Sequence, residues 1–280
     1  MRYEVSHRST YHYERPVDTS FHMLRVVPRP LPEQRVGHVE IVADPGADAV
    51  SERTDYFGNV VRYLSVGEPH DRLTITMRAE VEVGFAPPPA PAATPPWEEA
   101  RDGVPVDVVE FTMESPFVET DSVARYAALS FPPGRKLLEG ALDLTRRIHR
   151  EFRYDPHATE IATPVAEVLH GRRGVCQDFA HLEIAALRSL GLAARYVSGY
   201  IRTTGGTQLA GVDASHAWVS LFCPGTGWVD LDPTNNLVVR EDHIVLAWGR
   251  DYGDVSPVRG VILGGGEHRL DVAVQVRPLG

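Results

Sequence analysis

Six prolines, Pro87, Pro88, Pro89, Pro91, Pro95 and Pro96, fall within twelve residues of this chain. Proline fixes φ and removes a backbone donor, so such a run continues neither a sheet nor a helix. It predicts an extended, exposed linker and the main boundary in the sequence. Three segments follow: residues 1–85, a proline-rich linker and connecting segment over 86–120, and residues 121–280.

The hydrophobic period changes across that boundary. Before it, Tyr3, Val5 and His7 alternate with polar neighbours, as do Val39 and Ile41. Leu73, Ile75, Met77, Ala79, Val81 and Val83 hold period two for eleven residues, which predicts a strand with one buried face. Asp55-Tyr56-Phe57-Gly58-Asn59-Val60 places Gly and Asn between apolar runs, a hairpin signal that assigns Asp55 and Asn59 to a turn. Short strands with turn signals predict a β-sandwich-like domain.

After the boundary the spacing becomes helical. Leu137, Leu138, Ala141, Leu142, Thr145, Ile148 and Phe152 recur at three and four residues, with Gly140 weakening the helix locally. A second helix is predicted over roughly 175–190, with Gly191 in place for a C-terminal cap. Strands are predicted at Ala194–Ile201, Ala217–Phe222 and Trp228–Asp232, with a Gly-rich polar loop at Thr203–Asp213. Leu270, Val272, Val274 and Val276 alternate as a final strand, assigned with residues 121–280. No internal repeat is present.

Composition excludes several classes. Among 280 residues, 43% are hydrophobic and 24% charged, which is ordinary for a folded domain. A net charge of −10 with no basic patch disfavours a nucleic-acid partner. No apolar run is long enough to span a bilayer, and the start, Met1-Arg2-Tyr3-Glu4-Val5, lacks the apolar core of a secretory signal. The expectation is a soluble, cytoplasmic protein with no membrane partner. Its two cysteines, Cys176 and Cys223, are too few for a thiolate-rich zinc site, and a cytosolic location would keep them reduced. No cofactor is called for.

Cys176 opens the second predicted helix. The partial positive charge and unpaired N–H groups of a helix start stabilise a thiolate, and the same groups can hold an oxyanion. Position alone also fits a small buried residue. A nucleophilic thiol needs a base, and the base needs an orienting partner. If the turn Cys223-Pro224-Gly225-Thr226-Gly227 centres a hairpin near Pro224 or Gly225, His216 and Asp232 lie almost opposite each other. Asp230 would then lie opposite Trp218. The competing readings are a surface His–Asp pair and a metal site of Cys176, His181, His216 and Asp232. The latter lacks close ligand spacing on one element. His181 and Glu183 read as structural or solvated, Asp178 as interacting with the helix start, and Cys223 as non-catalytic. Tyr154, Tyr196, Tyr200 and Trp218 are candidates to line a cleft, against the commoner fate of core packing.

Four motifs, Gly174-Val175-Cys176-Gln177-Asp178-Phe179-Ala180-His181-Leu182, Ala194–Tyr200, Asp213-Ala214-Ser215-His216-Ala217-Trp218-Val219 and Trp228-Val229-Asp230-Leu231-Asp232-Pro233-Thr234-Asn235, resemble the bacterial transglutaminase-like family. The resemblance extends through Asp55–Asn59 at the front to Gly249–Tyr252 and Gly264–Leu270 at the end. It implies an α+β fold: a papain-like transglutaminase core, with the nucleophile at a helix N-terminus packed on an antiparallel sheet, preceded by the β domain. It implies Cys176 as nucleophile, His216 as base and Asp232 as orienting carboxylate, and it adds Gln177 to the candidate substrate-facing residues. Animal transglutaminases carry Trp where this chain has Gln177, so calcium dependence and protein cross-linking are not carried over. The expected activity is cysteine-dependent acyl transfer from an amide of a peptide or protein through a thioester. Hydrolysis is favoured over transfer to an amine, because excluding water needs a specialised cleft. A binding module that kept the fold without the chemistry is the alternative from another class.

Overall fold

The computed structural model describes residues 1–84, 87–202 and 215–279; the Gly-rich loop expected at Thr203–Asp213 lies outside them. The first half supplies β1 (Arg2–Leu24), β2 (Gln34–Asp44), β3 (Ala49–Thr54), β4 (Val60–Val66) and β5 (His70–Val83). Short helices α1 (Trp97–Asp102) and α2 (Ala124–Ala128) lead to α3 (Leu137–Glu151), β6 (Arg153–Tyr154), α4 (Val165–Gly171) and β7 (Arg173–Gly174). Then come α5 (Cys176–Arg188), β8 (Ala194–Ile201), β9 (His216–Cys223), β10 (Gly227–Asp232), β11 (Leu237–Val238) and β12 (His243–Gly249). The chain ends with α6 (Tyr252–Val255), β13 (Val258–Gly264) and β14 (His268–Leu279).

The first sheet is antiparallel and built on β1. Residues Arg2–His12 of β1 pair with β5 on one side and with β14 on the other, while Ser20–Leu24 pair with β4 and β13. The register breaks around Val17, next to Pro16, which has no N–H to give the ladder. The period-two residues from Leu73 to Val83 are all buried, as their alternation predicts. The expected hairpin joins β3 to β4, with Gly58 at φ 76° and Asp55 Oδ1 accepting from Asn59 N at 2.9 Å.

One expectation is corrected. The final strand belongs to the first sheet, not to the catalytic half: β13 and β14 both hydrogen-bond to β1. The long open side of β1 offers N–H and C=O groups that a returning strand satisfies. The N-terminal sheet is therefore completed by the C-terminus.

The proline-rich run is also more than a free spacer. Pro91–Ala93 form a 3-10 turn, and Thr94 is buried with its Oγ1 accepting from Leu138 N at 3.2 Å. Pro95 O accepts from Leu137 N at 2.9 Å, so the run docks on the first turn of α3. Gly140 has a packing reason: a Cβ there would strike the ring of Phe131.

The second sheet has the order β11-β10-β9-β8-β12, all antiparallel. Helix α5 is buried along nearly its whole length, and Phe179, Leu182 and Ala186 share a core with Tyr196, Val219, Leu231 and Ile244 of the sheet. Each large apolar side chain so buried contributes about 1.5–3 kcal/mol. On the other face, Val197, Trp218, Val239 and Val245 form a separate cluster. Helix α5 ends at Arg188, and Gly191, with φ 76°, closes the turn beyond it: its N donates to Arg188 O at 2.9 Å and Leu192 N donates to Leu187 O at 3.1 Å. Strand β12, absent from the sequence expectation, forms an edge whose free side is met by Arg29 and by Gln34 at the start of β2. Gln34 Nε2 donates to Val245 O at 2.7 Å and Gln34 Oε1 accepts from Val245 N at 2.8 Å. Among the described residues, no helix is long and apolar enough to cross a membrane.

Candidate active site

Cys176 is the first residue of α5 and is 9% exposed. The turn before it is tight because Asp178 folds back: its Oδ2 accepts from Val175 N at 2.7 Å and from Thr159 Oγ1 at 2.6 Å. A Cβ on Gly174 would press on that carboxylate, so glycine keeps the capping interaction possible. Burial pushes the Asp178 carboxyl up, against these two hydrogen bonds. The expected interaction of Asp178 with the helix start is therefore present.

His216 begins β9 and Asp232 ends β10; both are fully buried. His216 Nε2 lies 2.9 Å from Asp232 Oδ2. The carboxylate can only accept, so Nε2 carries the proton. Nδ1, the other ring nitrogen, has no hydrogen-bond partner. The Cys176 thiol approaches the imidazole closely enough to raise its basicity, without the geometry of a fully formed hydrogen bond. Such contacts tighten in substrate complexes. Burial alone would push His216 down; the charges of Asp232 and Cys176 outweigh it and hold it well above the ordinary histidine range. Burial likewise opposes ionisation of Asp232, but His216 and then His243 hold it below the usual carboxylate range.

Of the two turn centres that the sequence allowed, the hairpin takes the one that does not place His216 directly opposite Asp232. Asp230 pairs with Ser220 and Leu231 with Val219, so the turn centres on Gly225. His216 and Asp232 are then offset by two residues along the same face, and they meet diagonally. Asp230 is likewise diagonal to Trp218, whose Nε1 donates to Asp230 Oδ2 at 2.9 Å. Both carboxylates keep the partners the spacing suggested, through a different pairing. Gly199 pairs with His216, and a Cβ there would collide with the Trp218 ring.

Asp232 holds more than one imidazole. Oδ2 also accepts from His243 Nε2 at 3.2 Å and from Asn235 Nδ2 at 2.8 Å, and Oδ1 accepts from Thr234 N and Asn235 N. His216, Asp232 and His243 lie close enough together to be considered as metal ligands. The amide donors on Asp232 are those of a hydrogen-bonded carboxylate rather than a metal ligand. His181, a member of the four-residue metal set weighed from sequence, is elsewhere: its Nε2 accepts from Tyr252 N at 3.2 Å and its ring stacks on Phe117.

The remaining candidates separate by exposure. Tyr154 is 36% exposed, and Gln177 is half-buried with Nε2 donating to Ile161 O at 2.9 Å. Both have surface to offer a substrate. Tyr200 and Trp218 do not, which corrects their assignment to a cleft: both are fully buried. Tyr200 OH bonds His7 Nδ1 of β1 and donates to Val26 O just beyond that strand. Tyr196 is buried beside Cys176 and His181. Glu183 is structural and not solvated, fully buried with Oε1 2.7 Å from Thr145 Oγ1. Cys223 is fully buried, and burial pushes its thiol up to about 12. His243 was missed because its strand carries no motif; Asn235 and Thr234 lay within a quoted motif, but nothing in their spacing showed that they hold Asp232.

Residues 3–82 match the family described as the bacterial transglutaminase-like N-terminal region, and residues 130–233 match the transglutaminase-like superfamily. The second match contains Cys176, His216 and Asp232. An uncharacterized protein of Mycobacterium tuberculosis is 43% identical over 99% of this chain and 93% of its own length. A protein-glutamine gamma-glutamyltransferase of Pseudomonas aeruginosa is 28% identical over 32% of this chain and 15% of that protein. Among solved structures, a Cytophaga hutchinsonii protein provisionally named a cysteine protease superposes with a TM-score of 0.78 at 21% identity, covering 100% of this chain and 92% of that one.

Proposed function

The chain belongs to the transglutaminase-like superfamily, with the bacterial N-terminal region ahead of its core, and from that premise we propose that it is a cysteine-dependent amide hydrolase acting on a peptide or isopeptide bond. The observation that carries this reading is the placement of His216, with Asp232 fixing Nε2 and the Cys176 thiol beside the ring.

The Cys176 thiolate attacks the amide carbonyl carbon, and the unpaired N–H groups at the start of α5 receive the oxyanion. His216, protonated, gives its proton to the nitrogen as the C–N bond breaks, which leaves a thioester on Cys176 and a free amine. Asp232 fixes the imidazole tautomer and stabilises its charge. Water then attacks the thioester, His216 takes its proton, and a carboxylic acid departs from the regenerated thiolate. Transfer to an amine is the second reading, favoured by the local likeness to the Pseudomonas glutamyltransferase. Neither route calls on a metal or a cofactor.

The test is capture of the acyl-enzyme. The full chain is incubated with a library of amide-bearing peptides, quenched in acid and weighed intact, with Cys176→Ala as control. A mass increase mapped to Cys176 and absent from the control is expected. Adding a primary amine then separates the routes: unchanged carboxylic-acid product supports hydrolysis, and an amide of the added amine supports transfer. No adduct with any peptide, together with a Cys176 thiol no more reactive than Cys223, would sink the enzymatic reading.

A further inference from the structure

Asp232 Oδ2 lies between two imidazoles, that of His216 at 2.9 Å and that of His243 at 3.2 Å. They come from strands at different places in the sheet: His216 starts β9, and His243 starts the edge strand β12. Residues 130–233 carry the superfamily match, so His243 lies beyond it. His243 is 1% exposed, its ring stands edge-on to Trp218 at 5.2 Å, and its Nδ1 has no hydrogen-bond partner. Facing an ionised carboxylate, its Nε2 must carry a proton. The charged or titratable groups around the pair are Cys176 and Glu183 from α5, His216 from β9, and Asp230, which reaches it through Trp218.

We propose that His243 is a second positioning residue of the site, an imidazole that shares Asp232 with His216 and thereby tempers the basicity of His216. The inference rests on the reading of Cys176 and His216 as the reactive pair. Position alone does not explain His243. Asn235 Nδ2 and the amides of Thr234 and Asn235 already orient the carboxylate without it. What His243 adds is another donor on the very oxygen that His216 uses, and each donor draws charge from that oxygen. An unshared Asp232 would hold the proton on His216 more firmly. A less basic His216 releases its proton to the departing amine more readily, the step on which amide cleavage depends.

The experiment follows, by nitrogen-resolved NMR of the full chain from pH 4 to 11, the pH at which the His216 imidazolium loses its proton. His243→Phe keeps the ring and removes the donor. His243→Gln replaces it with an amide N–H of similar reach, and Asp232→Asn serves as control. The expected result for His243→Phe is a His216 midpoint moved up by roughly half a pH unit to one unit, because an unshared Asp232 holds the proton more firmly. His243→Gln should keep the parent midpoint, and Asp232→Asn should move it down. A His243→Phe midpoint that stays in place or moves down overturns the proposal, as does a His243→Gln midpoint displaced as far as that of His243→Phe. If Asp232→Asn also leaves the midpoint unmoved, it is the underlying reading of the site that fails. Should His243→Phe not fold, nitrogen-resolved NMR of the imidazoles in the parent chain decides: a proton on His243 Nε2 is expected, and one on Nδ1 overturns the proposal.

Discussion

Asn59 binds the main chain of Trp248 as a neighbouring strand would: its Oδ1 accepts from Trp248 N at 2.9 Å, and its Nδ2 donates to Trp248 O at 2.9 Å. Gln34 does the same to Val245. Two side-chain amides, one from the start of β2 and one from the β3–β4 turn, thus stand in for a missing strand along the free edge of β12. That edge strand also carries His243 at its start, so the N-terminal sheet is mechanically joined to the candidate site.

Gln34→Ala and Asn59→Ala should therefore each destabilise the whole chain. Gln34→Ala leaves Val245 N unpaired, while Val245 O keeps Arg29 N, and Asn59→Ala removes both main-chain partners from half-buried Trp248, at a cost of about 1–3 kcal/mol per site. Urea unfolding should show midpoints lowered in both and further in the double variant. A chain beginning near Arg101 should not fold, since it lacks β1 and leaves β13 and β14 without their partner. A soluble, cooperatively unfolding protein from that start would refute this dependence.

The two cysteines should differ in reactivity by orders of magnitude. Cys176 opens α5 beside His216, whereas Cys223 is sealed and its thiol is pushed up to about 12. At pH 7 almost none of Cys223 is thiolate. Iodoacetamide followed by peptide mapping should label Cys176 at least ~100-fold faster in the folded chain. Similar rates at both would remove Cys176 as the nucleophile.

Glu183 gives a stability signature opposite in sign to that of Asp232. Burial pushes its carboxyl up to about 8. The Thr145 hydroxyl, which donates to Glu183 Oε1 at 2.7 Å, opposes that shift without cancelling it, and Oε2 has no hydrogen-bond partner. The folded pKa lies above the unfolded one, so the folded state binds the extra proton. This contribution is fully present below the unfolded value near 4.5 and is lost as pH rises toward about 8. Glu183→Gln should abolish that part of the decline and stabilise the chain at pH 8 by on the order of 1–3 kcal/mol. Chemical denaturation at pH 5 and pH 8 checks it; equal stability changes at both would mean that Glu183 is ionised throughout.

The elements that determine the site were legible where local pattern sets structure. Cys176 at a helix start follows from the apolar period of α5, and the partnership of His216 and Asp232 follows from strand alternation, which keeps both on one face for any register shift of an even number of residues. The pairing itself was not legible. The spacing allowed a turn centred on Pro224 or on Gly225; the two differ by two residues of register without changing face, and periodicity cannot choose between them. His243 and the return of β13 and β14 to β1 were hidden for another reason. They are long-range contacts, and nothing in residues 243 or 258–279 states which strand they will meet.

Asp232 and Asp230 offer the last test, because they share a strand, a face and a chemistry but not a role. Asp232 takes the His216 ring, while Asp230 takes the Trp218 indole and pairs with Ser220. Asp232→Asn keeps the shape but places an amide where a charge stabilised the imidazolium, and it lets the ring adopt the wrong tautomer. By analogy with serine triads the loss should reach about 10²–10⁴-fold in acyl-enzyme formation, toward the lower end because a thiol nucleophile is intrinsically more reactive. Asp230→Asn retains a carbonyl oxygen that can accept from Trp218, so its rate should stay within about threefold of the parent. Rates of thioester formation under single turnover, with folding verified by circular dichroism, separate the two. An inactive Asp230→Asn beside a fully active Asp232→Asn would transfer the orienting role to Asp230 and require His216 to turn toward it.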